Sequence, residues 1–304
     1  MKKIILSFLI ILIFYSANAQ YKDHVFRVMI SSGKNYVKRG ENWVLLRTGT
    51  KLLLEDQVKV EQNSFLGLAH VSGKALELKK PGIYLISQLG SKINVKALSA
   101  TQKYTEYLMA QMNTDREKRL DERMNVVAAA ERGEKSAFVV YLPTQNPCNL
   151  MQNVYEIKWH PVKDTKNYIV KFMNLYDEVI LKIVTSDTSF VLDLKKPELK
   201  NEDNFKFTVQ SKEKLMLKSR EYGLKKLNAP EFKSVQEDLN NFKTDDDNSS
   251  LHKMVLATYF EDKKLYLNAI ENYEKAIELE PEVAEYKKLY AEFLKRNGMA
   301  EEKK

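Results

Sequence analysis

Between Ser249 and Gly298 the chain carries a spacing that leaves few folding options: Leu256-Ala257-x-x-Phe260, then Ala269-x-x-x-Tyr273-x-x-Ala276-x-x-x-x-Pro281. Small residues at Ala257, Ala269 and Ala276 let two antiparallel helices approach closely, while Leu256, Phe260 and Tyr273 fill the gap between them. Pro281 cannot continue a helix and ends the second one. The pattern predicts helices over 251–262, 266–279 and 282–297, with Ser249 or Ser250 as N-cap and Gly298 as C-cap. One such hairpin cannot bury its own apolar face, so it must lean on the rest of the chain, on another copy or on a partner.

This spacing resembles a tetratricopeptide repeat followed by a closing helix, spanning 249–304. The resemblance implies protein binding, with the first helix of each unit lining a concave groove. Carried onto this chain, the groove positions are Leu251, Met254, Thr258 and Glu261, then Glu285, Lys288, Glu292 and Lys295 on the closing helix. The Lys/Asn pair that clamps a peptide carboxylate in some relatives is absent at Met254 and Thr258. Leu251 and Met254 point instead to an apolar contact with a partner or with another part of the same chain.

Residues 1–19 read as a secretory signal peptide. Lys2-Lys3 are followed by an apolar run from Ile4 to Tyr15 and a small-x-small site at Ala17-Asn18-Ala19. That places the protein outside the cytoplasm, periplasmic or associated with an outer membrane. No later stretch is apolar for the ~20 residues a transmembrane helix needs. In an oxidising compartment the single Cys148 either pairs between two chains or is a buried thiol.

With 44% hydrophobic and 30% charged residues, the 304-residue chain has the composition of a globular, multidomain protein. Loss of Lys2 and Lys3 takes the net charge from +8 to +6. Residues 20–98 hold 13 basic and 6 acidic side chains, against 10 and 11 in 249–304. A basic N-terminal part suits an anionic envelope polymer. Lysines at strand-like spacing also serve to protect sheet edges. Export excludes nucleic acid as a partner.

Short strands are predicted at Val25–Ile30, Tyr36–Lys38, Trp43–Leu46, Leu52–Leu54, Gln57–Val60, Phe65–Ala69, Ala75–Lys79 and Ile83–Ile86, with Gly-bearing turns between them. The Trp43-x-x-Leu46-x-x-Gly49 block, Glu55-Asp56 before Val58-x-Val60, and Ser64-x-x-x-Leu68 before Ser72-Gly73-Lys74 resemble the FecR-type β domain of bacterial envelope proteins. That resemblance covers 20–98 and implies the fold alone. Residues 99–136 change to helical spacing at Tyr104, Leu108, Met112, Leu120, Met124 and Val127, a helical linker expected to pack against or link the β domains.

Over 137–228, strands are predicted at Ala137–Tyr141, Val154–Trp159, Tyr168–Phe172, Val179–Val184, Ser189–Leu194 and Phe205–Val209. Trp159 before Pro161-Val162 and the Tyr168-x-Val170 strand resemble fibronectin type III and related Ig-like sandwiches. Residues 229–248 read as an acidic, irregular linker ending in Asp245-Asp246-Asp247. The alternate acids and central glycine of an EF-hand are missing there, so those carboxylates suit a helix N-terminus.

Chemistry is hard to place. His24, His70, His160 and His252 are far apart, and no HExxH, CxxC, GxSxG, P-loop or GxGxxG is present. No metal, cofactor or catalytic residue is assigned. The reading is a non-enzymatic envelope adaptor that binds a protein through the C-terminal repeat. The alternatives are a peptidoglycan- or glycan-binding module using 20–98, and a hydrolase whose site is assembled across domains.

Overall fold

The computed structural model describes residues 24–93, 99–112, 138–242 and 248–300. The signal peptide, Leu120 to Val127 of the linker and the Asp245–Asp247 run lie outside the described residues.

The N-terminal part contains β1 (Phe26–Ser32), β2 (Asn35–Arg39), β3 (Asn42–Leu45), β4 (Lys51–Leu52), β5 (Gln57–Val60), β6 (Phe65–His70), β7 (Ala75–Leu78) and β8 (Gly82–Leu85). They form two antiparallel four-stranded sheets, ordered β4-β1-β6-β7 and β3-β2-β5-β8. Phe26, Val28, Leu66 and Leu68 from the first sheet meet Val37, Val58 and Val60 from the second. The short helix α1 (Ile86–Ser91) adds Ile86 and Leu89 to the same core. Ile86 thus opens a helix instead of ending a strand. The predicted Leu52–Leu54 strand stops at Leu52, because the Asp56 carboxylate accepts from Leu53 N at 2.8 Å and bends the chain there.

Strand β6 is buried at every position. Side chains alternate along a strand, so this requires cover on both faces. Leu66 and Leu68 face the sheet interior, whereas Phe65 and Ala69 belong to a second core shared with the helices and the central β part. A bulge between Val28 and Ile30 in β1 puts Met29 and Ile30 in that second core too.

The central part contains β9 (Cys148–Leu150), β10 (Val154–Lys158), β11 (Tyr168–Met173), β12 (Val179–Thr185), β13 (Ser189–Asp193), β14 (Asn204–Ser211) and β15 (Tyr222–Lys226). A short helix, α3 (Pro197–Lys200), precedes β14. The pair β10-β13 opposes a five-stranded sheet ordered β12-β11-β14-β15-β9, with β15 and β9 parallel. Its interior is aromatic: Trp159 meets Tyr168 edge-on at 5.4 Å between centroids, and Phe172 meets Phe190 in the same way at 5.4 Å. The strand predicted at Ala137–Tyr141 is reduced to one bridge between Val140 and Trp159, with Ala137 outside the described residues.

Helices α2 (Ser99–Met112), α4 (Ala229–Phe242), α5 (Ser250–Asp262), α6 (Tyr266–Leu279) and α7 (Ala284–Arg296) complete the chain. Here one reading needs correction. Residues 229–242 are helical and not an irregular linker. Asn228 Oδ1 accepts from Glu231 N, and Glu231 Oε2 accepts from Asn228 N, a reciprocal cap, while buried Val235 and Phe242 and half-buried Leu239 form the apolar stripe. The linker helix α2 packs on α5 and α4 and also on its own β domain, at β1 and the β6–β7 turn. Its buried residues Tyr104 and Leu108 belong to the core shared with the helices.

Candidate functional site

Helix α5 is the centre of the molecule. Nine of its residues are buried, with α2, α4, α6 and β7 around it. Its sequence explains this, because Leu251, Met254, Val255, Ala257 and Tyr259 leave no polar face. The close approach to β6 depends on Gly67, where a Cβ would stand 3.1 Å from Cδ2 of Leu251.

The N-terminus of α5 is held by a carboxylate far away in sequence. Ser249 caps the helix, its side chain accepting from His252 N. Glu77 on β7 then accepts from Ser249 Oγ at 2.9 Å, from Ser250 Oγ at 2.7 Å and from Leu251 N at 2.5 Å. Lys79 pairs with Glu77 at 2.9 Å and with Glu280, just past α6, at 2.5 Å. An acid at a helix N-terminus also meets the positive end of the helix dipole. Burial pushes the Glu77 carboxyl up, but the Leu251 amide, Lys79 and Ser250 outweigh it, and the net result lies below the usual carboxylate value of 4.5.

A pH dependence follows from that shift. Because the folded-state value is lowered, the Glu77 contribution is fully present above the unfolded value of 4.5 and is lost as pH falls through the lower folded value. Stability measured by urea unfolding should therefore fall with acid in this range, and part of that slope should vanish in Glu77→Gln. An unchanged slope would remove Glu77 from the explanation.

The other end of α5 is tied to three elements. Asp262 accepts from Tyr104 Oη at 2.5 Å and pairs with Lys103 at 3.3 Å, both on α2. Tyr259 donates to Asp238 of α4 at 3.0 Å, and Lys263 pairs with the same carboxylate at 3.1 Å. Asn149 of β9 donates from Nδ2 to Lys263 O at 2.9 Å and from its backbone to Lys264 O at 2.8 Å. Beside it, Cys148 is 1% exposed, with its thiol pushed up to about 12 by burial. That is a buried thiol, closed to pairing with another chain in the folded protein.

The predicted groove residues divide into two groups. Leu251, Met254 and Thr258 are at most 1% exposed. Far from lining an open groove, they are core, because Gly67 of β6, strand β7 and helix α2 already cover this helix. Glu261 is taken by Arg296 of α7, which donates from Nε at 2.7 Å and from a terminal nitrogen at 2.5 Å, and by Asn297 Nδ2 at 3.0 Å. On α7, Lys288 and Lys295 are exposed and Glu285 and Glu292 are half-buried. The four are spaced by three, four and three residues, so one helical stripe runs Glu, Lys, Glu, Lys.

The residues that fix α5, namely Glu77, Lys79, Asn149, Asp238 and Tyr104, were not among the predicted ones. Alternation in Leu76-Glu77-Leu78 puts Glu77 on the face away from the sheet interior, which reads as solvent. The one local signal was the Ser249-Ser250 N-cap.

A cleft of about 560 Å³ lies against the central sheet, lined by Leu150, Met151, Leu227 and Phe232 together with Lys195, Lys200 and Lys226. The Lys226 ammonium already donates to Leu199 O at 2.7 Å and Lys200 O at 2.9 Å, and burial lowers its pKa. The histidines do not converge. His70 is buried with Nδ1 2.8 Å from Ser72 Oγ, His252 is buried in α5, and the His160 ring lies 4.7 Å from that of Tyr141. Among the described residues, no group of three or more His, Cys, Asp or Glu is placed to hold a metal ion. Nor, among them, is any helix long and apolar enough to cross a membrane. No family model, curated protein or solved structure matches the chain.

Proposed function

We propose that the chain is a non-catalytic exported adaptor of the bacterial cell envelope, and that it binds a protein partner through the outward face of its helical repeat. The observation that carries this reading is the division of the repeat. Its inner helix is consumed in joining the two β parts, while Glu285, Lys288, Glu292 and Lys295 of α7 stay at the surface as a stripe of alternating charge. A stripe of that kind sets register and partner choice more than raw affinity.

The finer domain identities belong to the same proposal. The pairing of β10 with β13, opposite β12-β11-β14-β15, supports an Ig- or fibronectin type III-like sandwich. Two packed four-stranded sheets support a FecR-like domain, and the α5–α6 hairpin with α7 supports one tetratricopeptide unit and its closing helix.

Deleting 249–304 would not test this, because it would also strip the cover from β6. Surface charge reversal is the cleaner experiment. The double variant Lys288→Glu/Lys295→Glu should fold with an unchanged urea midpoint and lose its main crosslinked partner in native envelope, as read by mass spectrometry. A partner list identical to that of the parent chain contradicts the reading.

A second reading, glycan binding, draws on the outer face of the β3-β2-β5-β8 sheet. There Lys38 lies across from Trp43, and Tyr36 across from Lys59. Cosedimentation of the chain with peptidoglycan at low salt, abolished by Lys38→Glu, is its expected signature.

A further inference from the structure

Strand β3 is the outermost strand of its sheet, and all four of its residues are exposed. Trp43 is 36% exposed, Val44 49% and Leu45 49%. An uncharged, apolar edge is uncommon because its free N–H and C=O groups invite another strand. Two other edges are guarded: β9 is covered by the α5–α6 turn, and β12 carries Lys182 at its middle.

The hydrogen-bonding register of β3 can be followed from its hairpin. Arg39 pairs with Asn42 across the two-residue turn Gly40-Glu41, with Gly40 at φ 60°. A two-residue hairpin closes on a hydrogen-bonded pair, and antiparallel pairs alternate from there. Asn42 and Val44 therefore direct their backbone groups to β2, whereas those of Trp43 and Leu45 point outward to the open edge. Leu46 N donating back to Asn35 O at 2.7 Å fits this alternation.

The flanking sequence is self-complementary. In Glu41-Asn42-Trp43-Val44-Leu45-Leu46-Arg47, an antiparallel match to the same segment centred on Val44 sets Trp43 against Leu45 of the second copy. These are the residues whose backbone groups face outward, so both Trp43–Leu45 pairs would be fully hydrogen-bonded. Past the two ends of the paired segment, Glu41 in the hairpin turn and Arg47, whose carbonyl accepts from Thr50, fall side by side across the same axis, twice by symmetry. Both are exposed. A two-fold axis through Val44 thus satisfies the backbone, the apolar side chains and the charges together, as a self-complementary interface requires.

We propose that the protein forms a two-fold dimer by pairing β3 with β3 of a second copy, which joins the two β3-β2-β5-β8 sheets into one eight-stranded sheet. The partner is identified by this register and by the Glu41–Arg47 complementarity.

Sedimentation equilibrium of the purified chain over a concentration series tests it. The chain should dimerise, and Leu45→Lys, which changes an exposed side chain, should be monomeric with an unchanged urea midpoint. Glu41→Arg and Arg47→Glu should each weaken the dimer about tenfold, because each replaces two exposed attractions with two repulsions. The double variant should recover the parent affinity, which a merely structural role for either residue would not produce. Three outcomes overturn the proposal: a chain that stays monomeric to about 1 mM, a dimer that survives Leu45→Lys, or a double variant as weak as the singles. A monomeric chain whose β3 crosslinks only to a different envelope protein overturns it as well.

Discussion

Glu77→Ala is expected to destabilise the folded chain by about 3 kcal/mol or more, since each hydrogen bond to a buried charge contributes about 1.5–3 kcal/mol. The Glu77 side chain is only 6% exposed, and three donors from the first turn of α5 converge on its oxygens. Ser249 keeps its local capping bond to His252 N, so the helix itself should persist. What is lost is the tie between α5 and β7. Urea unfolding should show the drop in stability while far-ultraviolet circular dichroism of the native state stays near the parent. Glu77→Gln should fall between the two, because it keeps an acceptor oxygen but loses the charge facing Lys79. If alanine costs less than about 1 kcal/mol, in the range of an exposed pair, Glu77 is not a structural tie.

The second large effect is expected at Gly73, in the turn between β6 and β7. Its φ of 86° is in the left-handed region, and a Cβ there would lie 2.5 Å from both the N and the Cα of Gln102 on α2. Backbone cannot swing aside as a flexible side chain can. Thr105 Oγ1 also donates to Gly73 O at 2.8 Å, so turn and helix are locked at this spot. Gly73→Val should cost about 1–2 kcal/mol for the conformation and about 1–3 kcal/mol more for the overlap, and should lift α2 from the turn. Gly40→Ala supplies the control, since Gly40 has a φ of 60° with nothing within 4 Å of its added Cβ. The difference between the two variants in a urea titration isolates the docking of α2. Equal effects would mean that α2 yields freely.

Both effects occur where the repeat meets the N-terminal sheets, and that junction was the least readable part of the sequence. The helices α5 to α7 were legible because their signals are local: the small residues that allow close packing, Pro281 as a stop and Gly298 at a φ of 68° as a C-cap. Strands β5 and β14 announced themselves through alternation or a dense apolar run. Strand β9 did not, because three residues beside Pro147 hold no period, and its parallel partner β15 carries only Tyr222 and Leu224 inward. Helix α4 was hidden by its acids, although Asn228 and Glu231 already spelled a cap.

The predicted site shows the deeper limit. The spacing that marks Leu251, Met254 and Thr258 as one face of a helix is the same whether that face meets a partner or the chain's own strands. Nothing in 249–304 records that β6 has a glycine at position 67 and an apolar second face. The clue lay instead in β6 itself. Phe65-Leu66-Gly67-Leu68-Ala69 is apolar at every position, which is the pattern of a strand covered on both sides. Reading that run as doubly buried calls for a second layer, and the unaccompanied hairpin at the C-terminus supplies one.

The central claim is that α5 joins both β parts into one body, and amide hydrogen exchange of the native chain tests it most directly. The account predicts that the amides of Val255 to Tyr259 exchange only through global unfolding, as slowly as those of β6 and β11. Exchange of α5 through a smaller local opening, well ahead of the strands on either side, would contradict it and make the repeat a detachable appendage.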